Sequence, residues 1–467
     1  MKEPSSREIF GYVKDLYELG IKRPGTESGV AAEDYIVRKL SAFEYTISSD
    51  EIPVGVFEYD TAQLEVGSDS IALYPYVPSP FTGSSGLKRV LAYERNILDD
   101  NFTGSDLNGA LLLSSIPYGQ FRYDDLLNIA VGYHASAEGL RGIVQEVTWN
   151  TGAEVQFLTA TAEMNASGVI GIYPSLNASF LNGALEKGFQ QLCDIPEQQI
   201  TPFLYNPLAD IMEARPGPTP AAGVGPVAGT FLIDIAEEGA EVTFVLEGKQ
   251  RSGKTRNIAV ELPGESDRFI IIGVHHDTMW SGAVEDCSGC GVVLALARYY
   301  REMGVKLPVG LRFVFFAAEQ YRDLGVREYI RKRRTELAEK LVVDIHVEHI
   351  GIEASLLESG ELGLTGELQP RAFFVTPDCG FEEMIMAIVR DHDMERTVVM
   401  NTDTPLGVPT DACPMNEAGF PVISFISAPL YWNAAEDTLD KVPYDELSKV
   451  SAAMIDIIDR LMQRERR

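Results

Sequence analysis

The sequence is short of the residues that would staple, anchor or positively charge it. Cysteine occurs five times in 467 residues, at Cys193, Cys287, Cys290, Cys379 and Cys413. An odd and sparse set does not make a disulfide framework. Cys287 and Cys290 form a C-x-x-C pair, but no second pair completes a structural zinc site; both read as small buried hydrophobes at a helix start. No apolar run approaches the roughly 20 residues of a membrane span, so no membrane partner is expected. The opening residues Met1-Lys2-Glu3-Pro4-Ser5-Ser6 lack the apolar stretch of a signal peptide, so a cytoplasmic location is the expectation. The N-x-S/T sequons headed by Asn101, Asn165 and Asn177 then read as chance matches. Positive charge is also scarce, with 39 Lys and Arg against 69 Asp and Glu and a net charge of −30. Such a surface repels phosphate backbones, so no nucleic acid partner is expected. The charge is read as serving solubility.

What remains is ordinary globular material, 45% hydrophobic and 23% charged. The length suits roughly two or three domains and a core large enough to need no staples. Ser5 and Glu8 fit a capping box, with Ile9, Val13 and Leu16 following at helical spacing. A second helix is expected from Ala31 to Leu40, after the turn Arg23-Pro24-Gly25-Thr26. From about Ala72 to Gly229, Pro, Gly and Ser become frequent and short strands such as Ala110–Leu113 alternate with turns. Arg215–Pro220 looks like a linker or long loop. After Gly229 strands and helices alternate. Phe269–Val274, Leu311–Phe316, Leu341–Val347 and Pro421–Ile426 read as buried strands, and Gly291–Tyr300 as a helix. Leu447, Val450, Met454, Ile458 and Leu461 mark an amphipathic last helix. The expected fold is α/β, a mostly parallel mixed sheet flanked by helices, with an inserted β-rich domain. The expected division is 1–71 and 230–467 for the main domain and 72–229 for the insert. No internal repeat is visible.

Polar clusters come directly after the buried strands. Val274 leads into His275-His276-Asp277, and Val284 into Glu285-Asp286. Phe316 leads through two alanines into Glu319-Gln320. Asp344, His346 and Glu348 alternate along one strand, and a period of two puts them on one face, with His349 turned away if the strand continues. Four of the six histidines fall in these clusters. Imidazoles and carboxylates at successive strand ends supply the ligands of a divalent metal, and a separate carboxylate can take a proton from activated water. Strand ends are where function collects in such sheets.

At this point the chain resembles the M28 family of metallopeptidases, which includes zinc aminopeptidases and glutaminyl cyclases. His275-His276-Asp277 matches its H-x-D motif. Gly282-Ala283-Val284-Glu285-Asp286-Cys287-Ser288-Gly289 is similar to its G-A-x-D-x-x-S-G motif, and Phe313–Gln320 to the strand ending in its Glu-Glu pair. Val347–Gly351, Ala418–Pro421 and Glu436–Leu439 match its later signatures. Asp106–Gly109 and the strand after it look like part of a protease-associated insert. The resemblance implies His275, Glu285 and Glu348 as metal ligands, Glu319 as the general base, and Asp277 as the group orienting His275. It departs at three places. The bridging aspartate is replaced by Glu285, with Asp286 beside it, so that either of the two is a candidate to reach the metal. Gln320 replaces an acid, and Asn433 aligns with the last histidine. The last two belong to the second metal, so the first site is intact and the second is weakened or lost; His346 and His349 are candidates to compensate. The cofactor implied is a divalent metal, zinc by resemblance, as one or two ions.

The implied activity is cleavage of an amide or peptide bond, aminopeptidase-like, with a peptide or small amide as substrate. Alternatives are a non-peptide amidohydrolase, a cyclase-like enzyme, and a non-catalytic metal-binding protein that keeps the fold. A further rival is a P-loop NTPase, because Gly248–Thr255 satisfies G-x-x-x-x-G-K-[ST]. The residues after Thr255 lean to β and end at Pro263-Gly264, whereas the motif needs a helix. Met279, Trp280, Tyr431 and Trp432 lie just past strand ends and are read as pocket residues rather than core. A homo-oligomer is left open, with the insert as a candidate for dimer contacts or for capping the site.

Overall fold

The computed structural model describes residues 2–95, 97, 106–116, 119–147, 151–173, 204–205, 210, 212, 215–357 and 362–466. Its centre is built from the apolar runs. Phe269–His275, Gly310–Phe316 and Val422–Ser427 are buried at every position. Such runs need cover on both faces. They lie in the order Glu241–Leu262, Gly310–Phe316, Phe269–His275, Leu341–Val347, Val422–Ser427, Arg371–Val375, Thr397–Asn401 and Gly132–Tyr133. From Gly310–Phe316 through Val422–Ser427 the pairing is parallel. Glu241–Leu262 and Arg371–Val375 pair antiparallel on either side. The parallel strands therefore end along one edge, and the polar clusters continue directly from those ends.

Helices cover both faces. Ser5 caps the Ser6–Tyr17 helix by accepting the Glu8 N–H at 3.4 Å. Thr26 caps Glu27–Ala42 through the Gly29 N–H at 3.1 Å. Ile9, Val13, Leu16, Ile36 and Leu40 pack with Gly289–Met303 and the last helix, Tyr444–Glu465, on one face. Leu447, Val450, Met454, Ile458 and Leu461 are the buried stripe of that last helix. Each such side chain contributes about 1.5–3 kcal/mol on burial, so packing rather than propensity holds the helix. The Leu324–Lys340 helix covers the other face with Val326, Tyr329 and Ile330.

The long strand Glu241–Leu262 runs beyond the parallel strands and pairs at its start with Leu87–Tyr93. Parallel strands Leu111–Ser115, Gly168–Ile172 and Ala221–Val224 continue the sheet from there. The region expected as a β-rich insert thus carries helices too, Tyr123–Ile129 and Thr151–Glu163. The helix Pro226–Glu237 runs across the boundary expected at 229. Part of this region returns to the main sheet: Gly132–Tyr133 pairs antiparallel with Thr397–Asn401. Gly132 fits because a Cβ there would meet Met386 Sδ at 2.8 Å. Tyr123, Leu126, Leu127, Ala137 and Leu140 join the core beneath that edge.

Gly248–Thr255 is not a phosphate loop. It lies inside Glu241–Leu262 and pairs residue by residue with Ser48–Val66, with Gly248 opposite Tyr59 and Lys254 opposite Pro53. Lys254 Nζ meets Glu51 at 2.6 Å. With neither loop nor subsequent helix there is no amide cradle for phosphate, and the NTPase alternative falls. Cys287 and Cys290 are buried free thiols, whereas Cys193, Asn101 and Asn177 lie outside the described residues. Among the described residues no helix is long and apolar enough to cross a membrane.

Candidate metal centre

His275 closes the Phe269–His275 strand and is 1% exposed. Its Nδ1 bonds the Asp277 carbonyl oxygen at 3.0 Å, which leaves Nε2 to face the site. Burial above all, then the neighbouring His349, hold the imidazole well below its usual pKa, so it is a neutral donor. The orientation expected from Asp277 comes through its backbone. Its carboxylate Oδ1 instead accepts the Glu319 N–H at 3.1 Å and so positions the next strand's loop.

The loop carrying Glu285 and Asp286 is fixed from three sides. Gly282 has φ 55°, and a Cβ there would lie 2.0 Å from the Glu285 carbonyl oxygen. Asp437 accepts the Val284 and Glu285 N–H groups at 2.8 and 2.9 Å. Ser288 Oγ donates to the Val284 carbonyl at 2.7 Å and accepts the Ile350 N–H at 2.8 Å. The two adjacent acids then take different tasks. Asp286 Oδ1 accepts the Gly289 and His349 N–H groups at 3.0 and 3.1 Å, and its Oδ2 stays 4.0 Å from His275 Nε2. Glu285 converges with His275 and His349, one ligand atom of each lying within 4.8 Å of the others.

Gln320 and Asn433 also reach Glu285. Gln320 Nε2 donates to Oε1, and the Asn433 backbone N–H donates to Oε2 at 2.7 Å. With its nitrogen turned toward Glu285, the Asn433 side-chain amide donates at 2.8 and 3.1 Å. Both amides therefore serve as hydrogen-bond donors to a carboxylate.

His349 does not obey the strand parity. The Leu341–Val347 strand ends before it, and His349 has φ 50°, a left-handed conformation that re-aims the side chain. Its Nδ1 bonds the Ser427 carbonyl oxygen at 3.0 Å, and its buried Nε2 has no hydrogen-bond partner. Burial holds this imidazole below its usual pKa as well. Ala318 and Asn433 are also left-handed, at φ 57° and 54°. Such non-glycine strain collects where side chains must be aimed.

Glu319 Oε2 is buried without a partner. Glu319 converges with His275 and Asp411. Glu348 converges with His346 and Asp411, rather than with the His275–Glu285 pair. The reason is local: its Oε1 accepts the Asp411 N–H at 3.3 Å and lies 3.4 Å from His346 Nδ1. Asp411 and Asp437 are the groups that sequence reasoning missed as site residues. Asp437 lies inside a quoted signature, and Asp411 stands in a loop seven residues before another, so proximity to those signatures was the available signal.

The donor set fits a divalent cation. Burial first, then neighbouring carboxylates, push Glu285, Asp286, Glu319 and Asp411 well above the usual carboxyl range. Both oxygens of Asp411 are buried and unpartnered, as are Glu319 Oε2 and His349 Nε2. Neutral imidazoles and crowded carboxylates with free lone pairs are what such an ion satisfies. The expectation for the four flanking residues divides. Met279 and Tyr431 are core, 1% and 0% exposed. Trp280 and Trp432 are partly exposed, with Trp432 5.9 Å from the His349 ring.

Comparison with known proteins leads to the same segment of the chain. A model of peptidase family M28 matches residues 257–458. A probable leucine aminopeptidase 2 from Aspergillus oryzae is 28% identical over 140 residues, which is 27% of this chain and 28% of that protein. A glutamate carboxypeptidase 2 homolog from Caenorhabditis briggsae is 23% identical over 194 residues, 39% of this chain and 25% of that one. The chain thus spans less than a third of the length of the curated relatives it matches. Among solved structures, a peptidase M28 precursor from Shewanella amazonensis SB2B superposes with TM-score 0.69 at 19% identity, over 97% of this chain and 93% of that one. The zinc aminopeptidase BSAP from Bacillus subtilis superposes with TM-score 0.66 at 16% identity, over 98% and 96%. At these identities the structural likeness is one of fold. The family match covers the segment that carries His275, Glu285, Glu319, Glu348 and Asp411, so residues 257–458 are similar to peptidase family M28.

Proposed function

We propose that the chain is a metal-dependent peptidase that removes residues from the free amino end of peptides. In this reading the His275 centre holds one divalent cation, zinc by kinship of fold, and the Gln320–Asn433 position holds none. The observation that carries it is the convergence of His275, Glu285 and His349 beside a buried, unpartnered Glu319 carboxylate oxygen. A cation bound there supplies Lewis acidity toward water and the scissile carbonyl. The chain's own residues do the rest. Glu319 Oε2 takes the proton of the attacking water and returns it to the leaving amine. Burial, then the Glu285 carboxylate, raise its pKa from the carboxylate range, which makes the return step easier. Asp277 clamps the Glu319 backbone, and the partly exposed Trp280 and Trp432 offer apolar surface at the rim. Glu285, Glu319 and Asp411 give the site an acidic character that favours an amino end over a substrate carboxylate.

The test compares aminoacyl coumarin amides with their N-acetylated forms, before and after chelation. Turnover of the free-amino substrates only, lost on chelation and regained with zinc, is expected. Glu319→Gln should lower kcat by about 10²–10⁴ while metal content stays the same. Equal turnover of the acetylated amides would move the reading to a non-peptide amidohydrolase. Activity of Glu319→Gln within tenfold of the parent would remove Glu319 as the base.

A further inference from the structure

We propose that His346, Glu348 and Asp411 form a second cation site, one side-chain layer beneath the His275 centre and separate from the position occupied by Gln320 and Asn433. One ligand atom from each of the three lies within 4.8 Å of the others. Donors about 2.0–2.2 Å from a single ion reach that arrangement with small side-chain shifts.

His346 is built to be a ligand. It is fully buried, with Phe316 stacked on its ring at 5.5 Å and 11°. Gly273 lies against both rings, where a Cβ would come 2.6 Å from His346 Nε2 and 2.9 Å from the Phe316 ring, so a larger residue there would displace the stacked pair. The ring therefore cannot swing. Nε2 lies 3.0 Å from Asp344 Oδ2, and Nδ1 faces Glu348 Oε1 at 3.4 Å. A carboxylate behind one ring nitrogen and an open position before the other is the arrangement that orients metal-binding histidines.

A buried histidine between two carboxylates would by itself be an ion triad. Asp411 goes beyond that. It is 1% exposed, and neither of its carboxylate oxygens has a hydrogen-bond donor. Its backbone N–H holds Glu348 Oε1 at 3.3 Å, so its side chain is anchored beside the other two. Asp411 also converges with His275 and Glu319, so it is the wall between the two sites. The mixed imidazole and carboxylate set suits a divalent ion of zinc's class.

The inference rests on the metal-peptidase reading of the neighbouring centre, and the experiment separates the two. Metal-free full-length protein is titrated with zinc and, in parallel, with cobalt. Bound metal is counted by plasma mass spectrometry, and the cobalt spectrum reports ligand geometry. The parent should bind two equivalents, His346→Gln one, and His275→Ala one. Asp344→Asn, which leaves every ligand in place, should weaken one equivalent by about 10–100-fold and leave the other unchanged. One equivalent in the parent at saturation, or two retained by His346→Gln, overturns the deeper site. If His275→Ala keeps both equivalents while His346→Gln loses one, the deeper site stands and the reading of the His275 centre falls. Should His346→Gln fail to fold, the affinities of Asp344→Asn decide, and two unchanged affinities overturn the proposal.

Discussion

Turning the two amides back into metal ligands should change the metal count. The Gln320→Glu, Asn433→His double variant should take up one divalent cation more than the parent chain. In the parent, Glu285 accepts from Gln320 Nε2, from the Asn433 backbone, and from the Asn433 side-chain amide. Hydrogen bonds to a charged group contribute about 1.5–3 kcal/mol each. The double substitution removes the two side-chain donors and sets a second carboxylate against Glu285. The metal-free variant should therefore lose about 3–6 kcal/mol of stability. Free metal at 100 times its dissociation constant returns about 2.7 kcal/mol, and at 1,000 times about 4.1 kcal/mol. Metal stoichiometry and denaturant unfolding across a zinc titration read both effects. An unchanged count, or unfolding that responds to zinc just as the parent does, refutes the view that the amides substitute for a metal.

Glu285→Asp withdraws the carboxylate by about 1.5 Å and should weaken metal binding at the His275 centre; unchanged affinity would mean Glu285 is not a ligand. Arg371→Ala should cost about 3–5 kcal/mol by chemical denaturation, because buried Arg371 Nη2 lies 2.8 Å from buried Glu446 Oε1 of the last helix. A loss under about 1 kcal/mol would show that water or other groups already satisfy that pair. Lys254→Ala should leave stability and metal content unchanged and reveal no nucleotide binding in either protein, since Lys254 is an exposed strand residue paired with Glu51. Tight ATP binding lost in this variant would reverse that conclusion.

The parts of the fold legible in the sequence are those whose burial is uniform. Phe269–His275 and Gly310–Phe316 are apolar runs covered on both faces, so their strands and the clusters just past them could be placed from the sequence. The Gly132–Tyr133 edge strand could not, because a two-residue strand carries no period and its partner lies more than 260 residues away. The choice between Glu285 and Asp286 depends on a left-handed Gly282 and on Asp437, a contact across about 150 residues. His349 defeated a period-two argument because the strand stops at Val347. Asp411 was invisible for a different reason. It sits in an aperiodic loop, and only the fold places it against Glu348 and His346.

The same distinction bears on which acids act as ligands. Removing a carboxylate from water costs several kcal/mol unless the protein returns hydrogen bonds or charge. For several of the buried acids here it does. Asp437 receives two backbone N–H groups, Asp286 receives two on one oxygen, and Asp277 receives one from Glu319. Glu285 is supported by the amides of Gln320 and Asn433. The buried Lys22 donates its ammonium to the Gly20 and Ser281 carbonyls, and its charge favours the ionised form of Asp437. Beside Asp277 Oδ2, Asp286 Oδ2 and both oxygens of Asp344, the buried atoms left without a hydrogen bond among the described residues include Glu319 Oε2, both oxygens of Asp411 and His349 Nε2. Glu319, Asp411 and His349 converge with His275, and Asp411 also with His346. Asp277, Asp286 and Asp437, each held by backbone N–H groups, are positioning groups; Glu285 keeps its ligand role because it converges with His275 and His349 despite its amide donors, and Glu319 and Asp411 are left for a cation to satisfy.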